Sequence, residues 1–563
     1  MSDNTDRMAS VSYLHSSSSF QNHYDTVRDR LMLQARQHGE SEVYVFISPD
    51  GERVAISAEA LNSRSLALAR SLVKLGVRKG DVVAACLQND LDCLICTFGV
   101  ICAGGIIAYI MVHHKDGSDV REALKKLGAK VLVLNPGVGE INLRSCMNLI
   151  SEVSDAGKVT SDVLSLQYLI STHPAENLSL LLLGTLIGQN NEEVQLPYLD
   201  AEDTIAYFPT SGSTGESKYV PQSHHTAMLF GQQFKEAIGY EDGDCIYNER
   251  RISWIGGFPY SYLHDGVKTV TKTMAFSNSV QHCAVIYEVM IKEQCNVGAL
   301  QPATLVGLID IAKEEDIPRL QLKKIHIGGI PLAAVCMDAI GLFTKVVTNT
   351  YGSTECGLCS SLHVCNKADF INHCAGTPHS GVEIKVKDES GKVLPRGEFG
   401  SIYIRSQSLF WYYHGDPEKT QAVLDTKHWF DTDDVGYVTQ DGKLVARGRK
   451  SEIILQAGNY IVPSTLEAFI KNHPDVLDVI VVSIPDPELF LMACACVLPK
   501  SGRTLTANDI DDFYKEHFVT PVIDAYFREG PQLIEIVTDY PRTHTGKPDK
   551  RELQRIMRQK HGR

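Results

Sequence analysis

Apolar residues recur at helical spacing in several stretches of the chain, and each stretch leads into a short apolar run rich in β-branched residues. The first begins near residue 58, contains LNSRSLALARSLVKLGV, and continues through the Gly-Asp turn of RKGDVVAACL into an apolar strand. The same order of helix and strand returns at residues 125–135, 291–303 and 320–332. This alternation predicts parallel sheet with helices on both faces.

The pattern changes between residues 380 and 450, where short strands are separated by Gly, Asp and Pro, as in GVEIKVKDESGKVLPRGEFGSIYIRS. This predicts a β-rich subdomain. After Arg449 a compact α+β pattern continues nearly to the end. We therefore predict an α/β fold with a disordered leader (1–20), a large N-terminal domain of helix-covered mixed sheets plus the β-rich subdomain (21–449), and a small C-terminal domain (450–563).

One apolar segment, residues 93–112, is long enough to cross a bilayer. However, Gly104 and Gly105 divide it into a helix-like half and a β-rich half. We therefore predict a buried helix, a turn and a buried parallel strand, and a transmembrane segment is the less favoured alternative.

Length and charge narrow the class of protein. A chain of 563 residues exceeds one compact core, so a large unit and a smaller one are expected. Asp and Glu outnumber Lys and Arg by 68 to 54, and the net charge of -14 disfavours nucleic acid as a partner. The Ser-rich start has no apolar signal core, and the end, QKHGR, has no peroxisomal signal, so a cytoplasmic location is predicted.

The fifteen cysteines are irregularly spaced, which fits a reducing compartment better than a disulfide framework. Two CxxC pairs occur, Cys93 with Cys96 and Cys356 with Cys359. Neither has a second pair or a histidine at zinc-finger spacing, so buried thiols are predicted and no metal is assigned to them.

A loop rich in Gly, Ser and Thr follows an apolar strand end in YFPTSGSTGESKYVPQSH, residues 207–224. Glycines let backbone N–H groups approach phosphates, hydroxyls add donors, and Lys218 supplies a mobile positive charge. The spacing from Gly212 to Lys218 does not fit a P-loop. From composition alone, a surface linker and a triphosphate-binding loop are both open.

TSGSTGESK resembles the phosphate-binding signature of the adenylate-forming superfamily, which contains acyl-CoA synthetases, luciferases and peptide-synthetase adenylation domains. Further motifs resemble those of the superfamily in the same order: GGIPL (328–332), YGSTE (351–355), WFDTDD (429–434), GRKSEIILQAG (448–458) and PRTHTGK (541–547). The resemblance covers roughly residues 60–555, and it implies a large N-terminal domain and a small mobile C-terminal one.

The resemblance also implies roles for individual residues. Lys547 would be the catalytic cation, Thr354 would bond the α-phosphate, and Glu355 would hold Mg²⁺, which prefers oxygen ligands. The implied nucleotide-binding residues are Thr210, Ser211, Gly212, Ser213, Thr214, Gly215, Lys218, Gly328, Gly329, Asn349, Tyr351, Gly352, Asp434 and Arg449. Among these, Asp434 and Arg449 would contact the ribose, and Asn349 would read the adenine amino group.

The second half-reaction of the family implies a hinge at Ser451 and a coenzyme A tunnel at Gly458. Three residues depart from the family pattern. Ser451 stands where Asp or Lys is usual, Leu455 stands where Lys is frequent, and Asp433 adds a carboxylate close to the nucleotide. Asp433 would repel phosphates unless it points away.

The acyl pocket implied by the resemblance would involve Trp254, Ile255, Gly256 and Ile330. Trp254 would gate the pocket, and a packed core tryptophan is an equal alternative. No Asp near Trp254 is placed to hold a substrate amine. A plain carboxylic acid, fatty or aryl, is therefore favoured over an amino acid.

The predicted function is ATP-dependent activation of a carboxylic acid, a fatty acid first and an aryl acid second, to acyl-AMP, followed by transfer to coenzyme A. ATP, Mg²⁺ and coenzyme A are the implied cofactors and co-substrates, and fatty acid metabolism is the implied context. Two alternatives are a luciferase-like oxidase that uses the acyl-AMP and a non-catalytic binding protein with the same fold. The second is disfavoured because the residues that carry the chemistry are present.

Overall fold

The structure is a computed structural model of the 563-residue chain. It describes residues 11–20, 23–110, 117–136, 150–154, 157–174, 180–189, 191–210, 217–273, 280–313, 318–329, 332, 334–456, 459–487, 490–500, 502–517, 531–541 and 548–562.

The chain divides into two compact units. The larger consists of residues 14–384 and 404–430, and the smaller consists of residues 1–13, 385–403 and 431–563. The smaller unit thus contains the whole C-terminal part of the chain together with a short segment near residue 400.

The strands are β1 (Tyr13–His15), β2 (Glu42–Ile47), β3 (Arg53–Ser57), β4 (Val82–Cys86), β5 (Ile106–Tyr109), β6 (Val131–Leu134), β7 (Ile150–Val153), β8 (Val159–Ser161), β9 (Tyr168–Ser171), β10 (Leu181–Leu182), β11 (Thr204–Thr210), β12 (Lys218–Ser223), β13 (Cys245–Asn248), β14 (Lys268–Lys272), β15 (Val297–Ala299), β16 (Lys324–Gly328), β17 (Val347–Ser353), β18 (Gly357–Val364), β19 (Cys374–Pro378), β20 (Val382–Lys387), β21 (Gly400–Ser406), β22 (Phe430–Val438), β23 (Leu444–Arg449), β24 (Ile454–Gln456), β25 (Asn459–Ile461), β26 (Val476–Asp486), β27 (Phe490–Pro499) and β28 (Leu533–Ile536).

The α-helices are α1 (Val27–His38), α2 (Ala58–Lys74), α3 (Leu91–Cys102), α4 (Ser118–Leu127), α5 (Leu183–Gly188), α6 (His224–Ile238), α7 (Tyr260–Asp265), α8 (Val280–Lys292), α9 (Pro302–Ala312), α10 (Pro417–Val423), α11 (Pro463–Ile470), α12 (Ala507–His517) and α13 (Lys550–Lys560). Short 3₁₀ turns lie at Ala334–Ala339, Lys367–Asp369 and Lys450–Glu452.

Two mixed sheets organise the larger unit. One has the strand order β10-β9-β6-β4-β5-β11-β12, in which only β11 and β12 are antiparallel among the described pairs. The other includes the order β19-β18-β17-β16-β15-β13-β14-β2-β3, with a parallel centre and antiparallel pairs at both ends. The helix–strand alternation of the sequence predicts this arrangement, and the predicted α/β class is confirmed.

The apolar segment at residues 93–112 divides as predicted, within its described part. It contains most of helix α3, a turn at the two glycines and strand β5, which pairs in parallel with β4. Helix α3 begins where Asp90 Oδ1 accepts a hydrogen bond from Cys93 N (2.9 Å). Both CxxC pairs are buried. In the described part of the chain, no helix is long and apolar enough to span a membrane.

The β11–β12–α6 segment carries the predicted phosphate loop and is tied to the body of the unit. Ser223 forms a capping box with Thr226 at the start of α6. His224 Nδ1 accepts a hydrogen bond from Val27 N (2.9 Å), which satisfies a buried N–H group in the first turn of α1. The start of α6 is therefore fixed by its own cap and by a second helix.

The smaller unit has an α+β pattern, as predicted. Strands β22 and β23 form an antiparallel hairpin. Farther along, β26 pairs antiparallel with β27, which pairs in parallel with β28. Buried residues of β26 and β27 form apolar clusters with residues of α11, α12 and α13, and partly buried residues of β28 pack against these clusters. The predicted boundary near residue 450 stays a prediction.

The predicted leader contains an ordered part. Residues 13–15 form strand β1, and Leu14 and Phe20 are buried. Residues 1–10 lie outside the described residues.

The close approach of α2 and α3 generates a stability prediction. A Cβ at Gly99 would lie 2.6 to 2.9 Å from three side-chain atoms of buried Leu68, whereas a Cβ at Gly184 would have no atom within 4 Å. We expect Gly99→Ala to lower the free energy of unfolding by about 1–3 kcal/mol, because it overpacks the core. Gly184→Ala should raise it by up to about 1 kcal/mol, because it removes backbone freedom from an uncrowded helix. Urea unfolding of both variants measures these changes. Equal changes in the free energy of unfolding would contradict the close packing of Gly99 against Leu68.

A second prediction concerns the pH dependence of stability. Burial lowers the pKa of His224 from 6.5 to about 4. Between pH 6.5 and about 4, His224 binds a proton in the unfolded chain but not in the folded chain. The contribution of His224 to the free energy of unfolding is therefore complete above pH 6.5, and it is lost as the pH falls through this range. His224→Asn keeps an acceptor for Val27 N and cannot titrate. From pH 7.5 to 5.0, we expect wild type to lose about 2 kcal/mol more than this variant in urea unfolding. If the free energies of unfolding of wild type and variant changed in parallel with pH, the lowered pKa of His224 would be refuted.

Candidate active site

The predicted phosphate loop leaves β11 at Thr210 and enters β12 at Lys218, and these two residues face each other across the antiparallel pair. Thr210 Oγ1 is buried and has no hydrogen-bond partner among the residues that the structure describes. An unmatched hydroxyl at the base of such a loop is suited to a ligand oxygen. Ser211, Gly212, Ser213, Thr214 and Gly215 lie outside the described residues.

Tyr413 joins the lysine of this strand to the predicted metal ligand. Lys218 Nζ donates to Tyr413 Oη (3.1 Å) and lies 4.4 Å from the centroid of the tyrosine ring. Tyr413 Oη in turn donates to Glu355 Oε1 (2.8 Å). One hydroxyl therefore aligns a cation and a carboxylate that the sequence analysis treated separately.

The turn between β17 and β18 holds Thr354 and Glu355. A Cβ at Gly352 would lie 1.9 Å from Gly357 O, so only glycine fits where the two strands meet. Phe410 N donates to Glu355 O (2.8 Å), and the Glu355 side chain is buried. The end of the predicted motif YGSTE thus lies in the tight turn between β17 and β18.

A cavity of about 180 Å³ adjoins this turn. Polar side chains, aromatic rings and a few aliphatic residues form its described lining: Glu202, Thr204, Phe208, Val220, Pro221, Gln222, Ser223, Thr226, Phe230, Ile255, Thr354, Glu355, Ser408, Phe410, Trp411 and Tyr412. Of the predicted acyl-pocket residues, Ile255 therefore shares a cavity with Thr354 and Glu355.

Trp254 and Gly256 flank Ile255. Trp254 is 42 % exposed, with the Arg251 guanidinium 5.8 Å from its ring, so the alternative of a packed core tryptophan is wrong. A Cβ at Gly256 would lie 2.6 Å from Arg250 Cδ, so the backbone and the arginine pack closely there. Ile330 lies outside the described residues.

The predicted adenine-side residues lie on neighbouring strands. Gly328 ends β16, Gly329 has a left-handed φ of 80°, and Asn349 and Tyr351 lie on β17, which pairs in parallel with β16. Asn349 Nδ2 donates to Cys374 O (2.8 Å), which fixes the orientation of its amide. The strand pairing therefore brings these four residues into one region of the larger unit.

In the smaller unit, Asp434 and Arg449 face each other across the β22–β23 hairpin. Arg449 Nε lies 3.2 Å from Asp434 Oδ1, and Nη1 donates to Thr432 O (2.8 Å). The two residues predicted at the ribose are thus direct neighbours.

Asp433 and Ser451, two of the departures from the family pattern, contact each other. Ser451 Oγ donates to Asp433 Oδ2 (3.0 Å), and Asp433 has a left-handed φ of 58°. The extra carboxylate therefore has a hydrogen-bond partner of its own at the predicted hinge. Lys547 and Gly458 lie outside the described residues.

Sequence reasoning missed Tyr413. It lies in the aromatic run 410–413, far along the chain from Lys218 and Glu355, and only the fold brings the three together. The aromatic run was the available signal, but nothing in it distinguishes Tyr413 from its neighbours.

Comparison with known proteins agrees with this geometry. The sequence profile of the AMP-binding enzyme family matches residues 31–414, and that of the AMP-binding enzyme C-terminal domain matches residues 465–547. The chain belongs to the AMP-binding enzyme family. This confirms the predicted adenylate-forming superfamily and the predicted enzyme class, an acid–thiol ligase.

Relatives span nearly the whole chain. The mitochondrial medium-chain acyl-CoA ligase ACSF2 of Mus musculus is 26 % identical over 95 % of this chain and 88 % of its own length. The 4-coumarate–CoA ligase-like protein 1 of Arabidopsis thaliana is 26 % identical over 88 % of this chain and 87 % of its own.

Solved structures share the fold. The anthranilate CoA ligase AuaEII in complex with anthranoyl-AMP has a TM-score of 0.78 at 19 % identity, covering 96 % of this chain and 98 % of that one. The o-succinylbenzoate CoA synthetase MenE of Bacillus subtilis, with its acyl-adenylate intermediate, has a TM-score of 0.77 at 19 % identity, covering 95 % and 99 %. These likenesses confirm the fold class.

The bridge through Tyr413 predicts that its hydroxyl matters for catalysis. Tyr413→Phe keeps the ring but leaves Lys218 and Glu355 without their shared partner. We expect kcat/KM for ATP, measured by pyrophosphate release, to fall about 10-fold or more, because small misplacements of catalytic groups are costly. The matched control is Tyr198→Phe, an exposed tyrosine whose ring also lies near a lysine, Lys79. Rates within twofold of each other for the two variants would contradict a positioning role.

Proposed function

We propose that this enzyme activates a carboxylic acid with ATP, forming acyl-AMP and pyrophosphate, and then transfers the acyl group to coenzyme A with release of AMP. The observation that carries the proposal is the cavity whose wall includes both Thr354 and Glu355 together with five aromatic side chains, Phe208, Phe230, Phe410, Trp411 and Tyr412. The aromatic side chains suit the apolar tail of an acid, and Thr354 and Glu355 suit the reacting phosphate and its Mg²⁺.

The nucleotide roles follow the family motifs. A carboxylate that attacks the α-phosphate meets anionic repulsion, so positive charge and hydrogen-bond donors must face the phosphates. Thr210, Lys218 and Thr354 supply donors, and the glycines of the phosphate loop let backbone N–H groups approach. Asp434 and Arg449 bind the ribose, while Asn349 presents an amide oxygen to the adenine amino group.

The residues present fit Mg²⁺. Protein sites for this ion commonly use one or two carboxylates and complete the coordination with phosphate oxygens and water. Glu355 is a carboxylate held in place by Tyr413, in the same turn as Thr354. Glu355 would therefore hold the ion, which neutralises phosphate charge when bound.

Lys547 is the proposed catalytic cation, which binds the substrate carboxylate and the α-phosphate in the first half-reaction. Ser451 is the proposed hinge that lets the C-terminal domain (450–563) rotate before thioester formation, and Gly458 is proposed to line the coenzyme A tunnel. A two-state rotation lets one set of residues serve two reactions in turn.

The acid is proposed to be fatty or aryl. Phe208, Phe230 and Phe410 give the cavity an apolar lining that suits either kind of tail. A medium-chain acyl-CoA ligase and a 4-coumarate–CoA ligase-like protein, both among the relatives, carry names of these two kinds. Fatty acid metabolism and a cytoplasmic location are also proposed, and the one mitochondrial relative named above makes mitochondria a second compartment to examine.

Coenzyme A is favoured over oxygen as the second substrate of the acyl-AMP, because the names of both relatives refer to coenzyme A ligases. A luciferase-like oxidase remains the second candidate. A non-catalytic binding protein is disfavoured because the residues that carry the chemistry of the family are all present: Thr354, Glu355, Asp434, Arg449 and Lys547.

The deciding test measures pyrophosphate release from ATP and Mg²⁺ with a panel of fatty and aryl acids, with and without coenzyme A. We expect acid-dependent release that coenzyme A stimulates and that Lys547→Ala reduces by about 100-fold or more, as expected when a donor to developing charge is removed. The matched control is Lys550→Ala, which removes a nearby lysine that pairs with Glu467 (3.1 Å) and should leave release close to wild type.

The outcomes separate the candidates. Acid-dependent pyrophosphate release that does not change when coenzyme A is added would favour the luciferase-like oxidase. No release with any acid would favour the binding protein, and equal loss in both lysine variants would contradict the role of Lys547.

A further inference from the structure

A buried glutamine in the cavity wall has half of its amide unmatched. Gln222 lies on β12, is 3 % exposed, and its Oε1 accepts a hydrogen bond from Tyr260 Oη (2.8 Å). Gln222 Nε2 is buried and has no hydrogen-bond partner in the part of the chain that the structure describes. The same side chain lines the cavity that also contains Thr354 and Glu355.

The partner of Gln222 is held firmly. The ring of Tyr260 lies 5.6 Å from Phe230, 5.3 Å from Phe234 and 4.9 Å from Phe258, measured between centroids. This aromatic cluster fixes the hydroxyl that binds Gln222 Oε1. Because an amide is planar, fixing its oxygen also fixes the directions in which Nε2 can donate.

A second buried glutamine shows how this region satisfies an amide that needs no ligand. Gln233 Nε2 donates to Ser408 Oγ (2.9 Å), and Gln233 Oε1 accepts from Leu358 N (3.2 Å). Buried polar groups are almost always paired, so an unmatched buried donor on a cavity wall requires an acceptor inside the cavity, which is either water or a ligand oxygen. Gln222 meets this condition and Gln233 does not.

The charge of the cavity limits what the acceptor can be. Its described lining includes the carboxylates Glu202 and Glu355 and contains no lysine, arginine or histidine. A second carboxylate on the acid would enter this wall without a counterion, which is strongly unfavourable. A neutral oxygen, a hydroxyl or a carbonyl, accepts a hydrogen bond without that cost.

We propose that the acid activated by this enzyme carries a neutral oxygen on its tail, and that Gln222 Nε2 donates a hydrogen bond to it. The preferred substrate class is therefore a hydroxy- or oxo-carboxylic acid with an otherwise apolar body. This inference rests on the proposed function and makes Gln222 a residue that determines specificity. Tyr260 is a positioning residue that acts through Gln222.

The test compares acids of equal chain length that differ in one group: plain acids, acids with one hydroxyl or keto group at successive positions, and dicarboxylic acids. For wild type, we expect kcat/KM of pyrophosphate release to be about 10- to 100-fold higher for the best oxygenated acid than for its plain counterpart. Dicarboxylic acids should be the poorest of the three. Gln222→Met, which keeps the length of the side chain and removes the donor, should abolish the preference.

Gln233→Leu is the matched control. It removes a buried glutamine of the same region, so it should lower the melting temperature and keep the wild-type ratio of oxygenated to plain acid. A purely structural role for Gln222 would instead lower kcat/KM for both acids equally. If Gln222→Met does not fold, the wild-type ratio alone decides.

A second readout separates this inference from the proposed function. The same acids are tested for their effect on the melting temperature without ATP. Larger stabilisation by an oxygenated acid in wild type, and its loss in Gln222→Met, supports the inference even where no acid releases pyrophosphate. A wild type that prefers plain acids or treats both alike in both readouts overturns it, and so does a folded Gln222→Met that keeps the preference.

Discussion

The hydroxyl of Tyr413 connects two charged groups of the candidate active site, Lys218 and Glu355. It accepts from Lys218 and donates to Glu355, so each charge has a neutral partner and the two are held a fixed distance apart. Without this hydroxyl, Lys218 and Glu355 would lose the hydrogen-bond partner that they share. A neutral hydrogen-bond partner keeps both charges oriented without neutralising them.

Close packing gives this arrangement its geometry. Gly352 lets β17 and β18 approach so closely that a Cβ has no room, and the resulting tight turn places Thr354 and Glu355 at the cavity. On the other side, the start of α6 is fixed by the Ser223–Thr226 cap and by His224 beneath Val27. The cavity thus lies between elements whose backbones are fixed by packing and hydrogen bonds, which suits the proposed selection of one acid over similar ones.

Much of the fold could be predicted because it depends on local patterns. The helical period before β4 and the glycines that end α3 indicated the correct elements, and the short motifs indicated Lys218 and Glu355 in particular. Contacts between distant parts of the chain were beyond such reasoning. Tyr413 is 195 positions from Lys218. Gln222 lies within the loop motif 207–224, and its hydrogen-bond partner Tyr260 belongs to helix α7. Side-chain pairing across a fold leaves no periodic signal in the sequence.

The contact between Asp433 and Ser451 bears on the construction of hybrid enzymes. A hybrid that joins residues up to 449 to the C-terminal domain of another family member would retain Asp433 and replace Ser451. An aspartate at position 451 would place two carboxylates side by side, whereas a lysine there would form an ion pair with Asp433. Positions 433 and 451 should therefore come from the same parent enzyme, so a crossover is best made before residue 433 or after residue 451.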